Sequence, residues 1–181
     1  DGGTVVKMAV VAIDAGSAQV NGSLPIAGSP ITMNSTLTIG TATLTRGVND
    51  PGAGQTKEIG TNGYIFTAIR ATAGSAEDLM VKWISFNQSG SASASDITNV
   101  KMNVNGTDYP ATVSSDGKYY TASFGDGLPL KKGNQAEIYV KGDIVNGSNR
   151  GVDFDLYRHT DLYIVGQSFG FGITPPATDS G

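Results

Sequence analysis

The chain has no cysteine among its 181 residues, which excludes disulfide staples, thiolate nucleophiles and cysteine-ligated zinc. Cysteine-free chains occur inside and outside cells, so this absence leaves the compartment open. Charge is scarce too. Asp, Glu, Lys and Arg make up 15% of the residues, against about a quarter in ordinary globular domains. The 12 Lys and Arg form no cluster larger than Lys131-Lys132, and the net charge is −4. A nucleic acid is therefore not an expected partner, because its binding rests on clustered cations that release counterions. Long apolar runs are also missing. The longest candidate, Val5 to Ile13, is interrupted by Lys7 and is strand-sized, whereas a membrane helix needs about 20 residues. No membrane span is expected. Histidine and tryptophan occur once each, as His159 and Trp83, so any Ser-His-Asp triad would have to use His159. It sits in an expected hairpin turn, with no Gly-Xaa-Ser-Xaa-Gly elbow in the chain. Zinc usually needs more imidazoles than this.

Ser, Thr, Gly and Asn fill the space left by charge. Short hydroxyl and amide side chains suit a strand surface and not a helix, and an acidic Ser/Thr-rich chain suits an extracellular or cell-surface location. The length fits one domain. Asp1-Gly2-Gly3 reads as a linker stub without a signal peptide, and residues 174–181 read as a Pro/Ser/Gly linker tail. The expected divisions are 1–33, a strand and Gly/Pro-rich loop that could be added or exchanged; 34–173, the sandwich core; and 174–181, the tail.

The segment Asn99 to Phe124 shows the clearest local signal. Asn105-Gly106 and Asp116-Gly117 each stand between alternating apolar and polar residues, the pattern of a β-meander closed by type I′ turns. Further strands are expected at Val5 to Ile13, apolar on both faces and so buried between partners, and at Ser35 to Thr45, with a bulge near Gly40. Others fall at Gly63 to Thr72, Leu79 to Phe86, Ala136 to Val140, Val152 to Leu156, Asp161 to Val165 and Phe169 to Ile173. Asp14 to Met33 reads as loop, with a short strand at Ala18 to Val20. About ten strands at spacings of about ten residues predict an all-β antiparallel sandwich, Ig-like or jelly-roll-like, with little or no helix.

Chemistry-bearing residues are few. Asp153 and Asp155 share a strand face and could be the acid and base of a glycosidase, although the favoured reading is a solvated face alternating with the core face of Val152, Phe154 and Leu156. Calcium takes loop carboxylates, and Asp50, Glu77 and Asp78 are its candidate ligands, with Asp126 nearby in type; no other cofactor is expected. Trp83, Tyr119 and Tyr120, with Tyr139 and Tyr157, are candidate sugar-stacking residues. Trp83 alternates with Leu79 and Val81, which also suits a core position, and one of the adjacent tyrosines must point outward in a regular strand. Val6, Met8 and Val10 are candidates for self-assembly by strand addition. Sequons occur at Asn21, Asn34, Asn87, Asn105 and Asn146; Asn105 is already explained by its turn, and the other four are candidate glycosylation positions.

The runs Asn34 to Ala42, Thr72 to Asp78 and Val113 to Tyr120, with Gly142-Asp143-Ile144, Val152 to Asp155 and Tyr163 to Gly166, resemble β-sandwich modules of large bacterial surface-layer-type proteins. The resemblance spans about Asn34 to Pro176. It implies an Ig-like sandwich in a cell-surface or secreted array and carries no functional residue across. The expectation is a non-catalytic structural or adhesive module of an extracellular surface or filament protein, partnered by copies of itself or neighbouring repeats. The alternative is a carbohydrate-binding module of a secreted multidomain enzyme, with a polysaccharide as partner. A glycosidase or lyase using Asp153 and Asp155 ranks third.

Overall fold

A computed structural model describes residues 3–34 and 36–176, so Asp1, Gly2, Ser35 and the tail beyond Pro176 lie outside the described residues. Two units form: Asp1–Thr38 and Ile39–Gly181. The first holds four two-residue strands: β1 (Val5–Val6), β2 (Ala9–Val10), β3 (Ile26–Ala27) and β4 (Ile31–Thr32). They make an antiparallel ribbon, Val5 opposite Thr32 and Val10 opposite Ile26. Backbone hydrogen bonds from Gly3 N–H to Met33 O, Met33 N–H to Thr4 O and Gly28 N–H to Met8 O extend it. This overturns two expectations. Val5 to Ile13 is exposed along its length, not buried. Its strand partner lies within Asp14 to Met33, the stretch expected to be loop, while Ala18 to Val20 forms no strand. Two-sided apolarity marks what a strand needs covered, not what covers it.

The second unit is an all-β antiparallel sandwich. Its strands are β5 (Ala42–Arg46), β6 (Tyr64–Ala73), β7 (Leu79–Gln88), β8 (Ile97–Val104), β9 (Thr107–Pro110), β10 (Thr112–Val113), β11 (Tyr119–Leu130), β12 (Gln135–Ile144), β13 (Phe154–Asp155), β14 (Leu162–Gly166) and β15 (Gly172–Ile173). A single 3-10 turn, His159–Asp161, is the only helical element among the described residues. One sheet runs β5-β6-β12-β8-β9; the other runs β10-β11-β7-β14-β15, with β13 also on β7. Between them lies a core that includes Leu79, Ile84, Phe86, Met102, Tyr120, Ile138, Val140, Phe154 and Ile164. The strands outnumber the ten expected because the ribbon divides into four two-residue strands where one long strand was expected, and β10 is too short to show a period.

The meander of Asn99 to Phe124 divides between the sheets. Asn105 and Gly106 both take positive φ, 49° and 92°, and close the two-residue hairpin β8-β9 as a type I′ turn should. Pro110 then ends β9, since it has no N–H for a ladder, and the chain crosses to β10 in the opposite sheet. The second turn is longer than two residues. Only Gly117 has positive φ there, and the Asp116 carboxylate accepts from the Ser114 hydroxyl and the Lys118 N–H. An Asp that caps its own loop in this way has no need of the left-handed conformation.

One irregularity decides the surface. On β14, Tyr163 faces Trp83 but Ile164 faces Val81, so Lys82 has no opposite number. On β11, Ser123 faces Trp83 and Leu128 faces Val81, with Phe124 to Gly127 looped out. Lys82 Nζ donates to Asp126 O across this loop at 2.6 Å. A bulge flips the parity of a strand. Leu79 and Val81 point into the core before it, Ile84 and Phe86 after it, and Trp83 is turned to the outer face.

Candidate functional site

Three places bring chemistry together. The first is the ribbon. Of its large side chains, Val5, Val6, Met8, Val10, Val11, Ile13, Ile26, Ile31 and Met33 are all exposed, Met8 at 82% and Ile31 at 68%. Lys7 and Asp14 are the only charges in residues 3–34. Val6, Met8 and Val10 therefore stand on an uncharged, uncovered β surface.

The second is a cleft of about 700 Å³ in the sandwich, walled by Leu44, Phe66, Ile69, Phe154, Leu156 and Leu162 and edged by Arg46, Asp50, Asp153, Asp155, Arg158 and His159. Its walls come from β5, β6 and the segment from Asp153 to Leu162. His159 Nδ1 is 3.1 Å from Pro175 O; a carbonyl only accepts, so Nδ1 carries the proton and donates. Burial, and then the neighbouring charge of Asp155, raise the Asp153 carboxyl above its ordinary value. Asp155 accepts from the Ser89 hydroxyl at 2.7 Å.

The third is the outer face around Trp83. Tyr163 packs on the Trp83 ring, with centroids 6.1 Å apart and planes at 37°, and is 43% exposed. Tyr119 is half-buried beside Asn87 on the same face. Tyr120 is not part of this surface. It is 1% exposed and meets Phe154 edge-on at 5.1 Å, so of the adjacent pair only Tyr119 faces out. Tyr163, absent from the candidates drawn from the sequence, could have been found through the bulge alone, because only the shifted register makes it Trp83's neighbour.

The three carboxylates considered for calcium do not converge, and no group of three or more His, Asp or Glu side chains suited to a metal occurs among the described residues. Asp50 accepts from Gly52 N–H at 2.9 Å, Ala68 N–H at 3.0 Å and the Thr67 hydroxyl at 3.2 Å, with Arg46 at 3.7 Å. Asp78 accepts from Lys131 Nζ and Lys132 N–H. Glu77 is 3% exposed and accepts from Gly40 N–H at 2.7 Å, Ser168 N–H at 2.8 Å and Phe169 N–H at 3.3 Å. Each acts as a clasp on backbone or lysine. The bulge expected near Gly40 is in fact the place where the chain turns in to meet Glu77. Of the sequon asparagines, Asn21, Asn34 and Asn146 are exposed and Asn87 is half-buried near the end of β7; Ser35, the middle residue of the Asn34 sequon, lies outside the described residues.

These clasps set an acid response. Burial raises the Asp50 carboxyl, but the N–H groups of Ala68 and Gly52, the Thr67 hydroxyl and Arg46 outweigh it and hold the group below its ordinary value. The Ser93 N–H, then Arg150, lower Asp96; Lys141, then Asn103, lower Asp108. A carboxyl lowered by folding stabilises when ionised, so this contribution is present above the ordinary carboxylate range and lost as pH falls through the folded values. Asp153, raised, acts with the opposite sign. The lowered carboxyls outnumber it, so the melting temperature is expected to hold between about pH 7 and 5 and to fall below about pH 4. Calorimetry across that range checks it, and a rise on acidification would count against it.

No protein-family model, curated protein or solved structure matches the chain.

Proposed function

We propose that the chain is a non-catalytic structural and adhesive module of an extracellular surface or filament protein, and that its copies associate through the N-terminal ribbon. The observation that carries this reading is the ribbon itself, whose apolar side chains lie uncovered on both faces. An isolated two-stranded ribbon is marginal in water. Protein edges are normally blunted by charge, proline or bulges, and this one has only Lys7 and Asp14. Strand addition by a second copy pairs the free edge and covers the apolar face in one step. The engagement of His159 by a backbone carbonyl supports a non-catalytic reading of the cleft.

Sedimentation of the full chain tests this. Association that grows with protein concentration is expected. The double variant Met8→Asp, Val10→Asp should sediment as a monomer while the sandwich melts at an unchanged temperature. A chain that stays monomeric at every concentration would refute self-association through the ribbon.

A further inference from the structure

The two outer faces of the sandwich differ in kind. On the five-stranded sheet the outward side chains are ion-paired: Arg70 with Glu137 at 3.5 Å, Lys141 with Asp108 at 2.8 Å and Lys101 with Asp108 at 3.9 Å. That is an ordinary solvated face. On the side of the bulge that runs from Trp83 to Asn87, the opposite face forms three rows across the sheet, read from the strand register: Tyr119, Asn87 and Asp155; Thr112, Thr121 and Ser85; Ser123, Trp83 and Tyr163. None of these nine positions is Lys, Arg or aliphatic. They span about 13 Å along the strands and about 14 Å across the four strand positions from β10 to β14.

We infer that this face is a binding platform for a neutral glycan chain, stacked on Trp83 and Tyr163 and hydrogen-bonded along the rows towards Tyr119. The inference is independent of self-association by the ribbon. The C–H faces of a pyranose pack on the electron-rich face of an aromatic ring, and the Trp83–Tyr163 pair offers such a surface. The hydroxyls around the ring need donors and acceptors at short, regular spacing. Trp83 Nε1–H, the Asn87 amide and the Tyr119 and Tyr163 hydroxyls supply them, and none makes a hydrogen bond to another described residue. Ser89 holds Asp155, the one carboxylate of the nine, in place as an acceptor. A nucleic acid would require cations here, and a protein partner would find its aliphatic anchors only on the other side of the bulge, in the row of Pro129, Met80 and Val165.

Trp83 is the only tryptophan, so its fluorescence reports on the platform without a label. Titration of the full chain with soluble mixed-linkage β-glucan, xylan, galactomannan and chitohexaose is expected to give a saturable emission change with at least one of them. Tyr163→Ala should weaken that binding about tenfold or more, and Tyr139→Ala, on the ion-paired face, should leave it unchanged. Native gels containing the same polysaccharide provide the readout for Trp83→Ala, which should abolish retardation while the melting temperature holds. The proposal is overturned if no glycan changes the emission, or if Tyr163→Ala and Tyr139→Ala weaken binding equally. It is likewise overturned if the emission follows protein concentration and not glycan, which would assign the face to a second copy.

Discussion

Replacing Glu77 with alanine is expected to destabilise the sandwich by about 4 kcal/mol, a fall of roughly 10 °C in melting temperature for a domain of this size. One buried carboxylate joins three distant pieces of chain: its own strand entry, Gly40 before β5, and Ser168 and Phe169 after β14. Without it, the buried Gly40 N–H is left unmet at a cost of about 1 to 3 kcal/mol, and the N–H groups of the exposed Ser168 and Phe169 each lose a bond to a charged acceptor worth about 1.5 kcal/mol. The surroundings are shaped to the carboxylate. A Cβ on Gly166 would fall on its Oε1, and one on Gly40 would meet its Cγ at 2.8 Å. Glu77→Gln should recover less than half of the loss, because its NH2 group must face an N–H donor. Chemical denaturation of the three proteins checks the order. If glutamine matched the wild type, shape and not acceptance would be the role of this residue.

Glu77 also shows where sequence reading stops. Strand positions were legible wherever a period of two ran for several residues, as in β6, β7 and β12, and the Asn105-Gly106 turn was legible from its φ requirement alone. Glu77 looked like a loop carboxylate because its partners lie 37 and 91 residues away, and no local pattern records backbone donors at that distance. Trp83 was obscured for a different reason. Its alternation with Leu79 and Val81 is genuine, but an unopposed Lys82 resets the parity, and a lysine within a strand carries no signature of a bulge. The ribbon was hidden by chain length: two-residue strands leave no period, and the partner of Val5 to Val10 lies in a stretch dominated by Gly and Pro. The candidate binding face was half visible for the same reasons, with Trp83 and Tyr119 named from composition and Tyr163 dependent on the register.

The inter-sheet contact rests on a row of aromatic rings, and its central member is the place where one truncation should do most. Phe154 meets Phe66 of the facing sheet at 5.5 Å and Tyr120 of its own sheet edge-on at 5.1 Å, while Phe66 in turn meets Tyr64 at 5.3 Å. Only two register pairs, to Gln88 and Asn87, hold β13 on β7, so the ring and not the ladder fixes this segment. Phe154→Ala is expected to cost about 4 kcal/mol, from lost burial and the cavity left between the sheets. The loss should also be local before it is global. Ser89 N–H donates to Asp153 O and Ala92 N–H to Gly151 O, so these two amides should exchange faster than the core of β12 well below the melting point. Tyr120→Phe is the companion measurement. The Tyr120 hydroxyl is buried with no hydrogen-bond partner among the described residues, so its removal should change stability by no more than about 1 kcal/mol, towards greater stability. A large loss in Tyr120→Phe would mean that the hydroxyl is bonded after all. A loss below about 1 kcal/mol in Phe154→Ala would mean that the sheets are held together elsewhere.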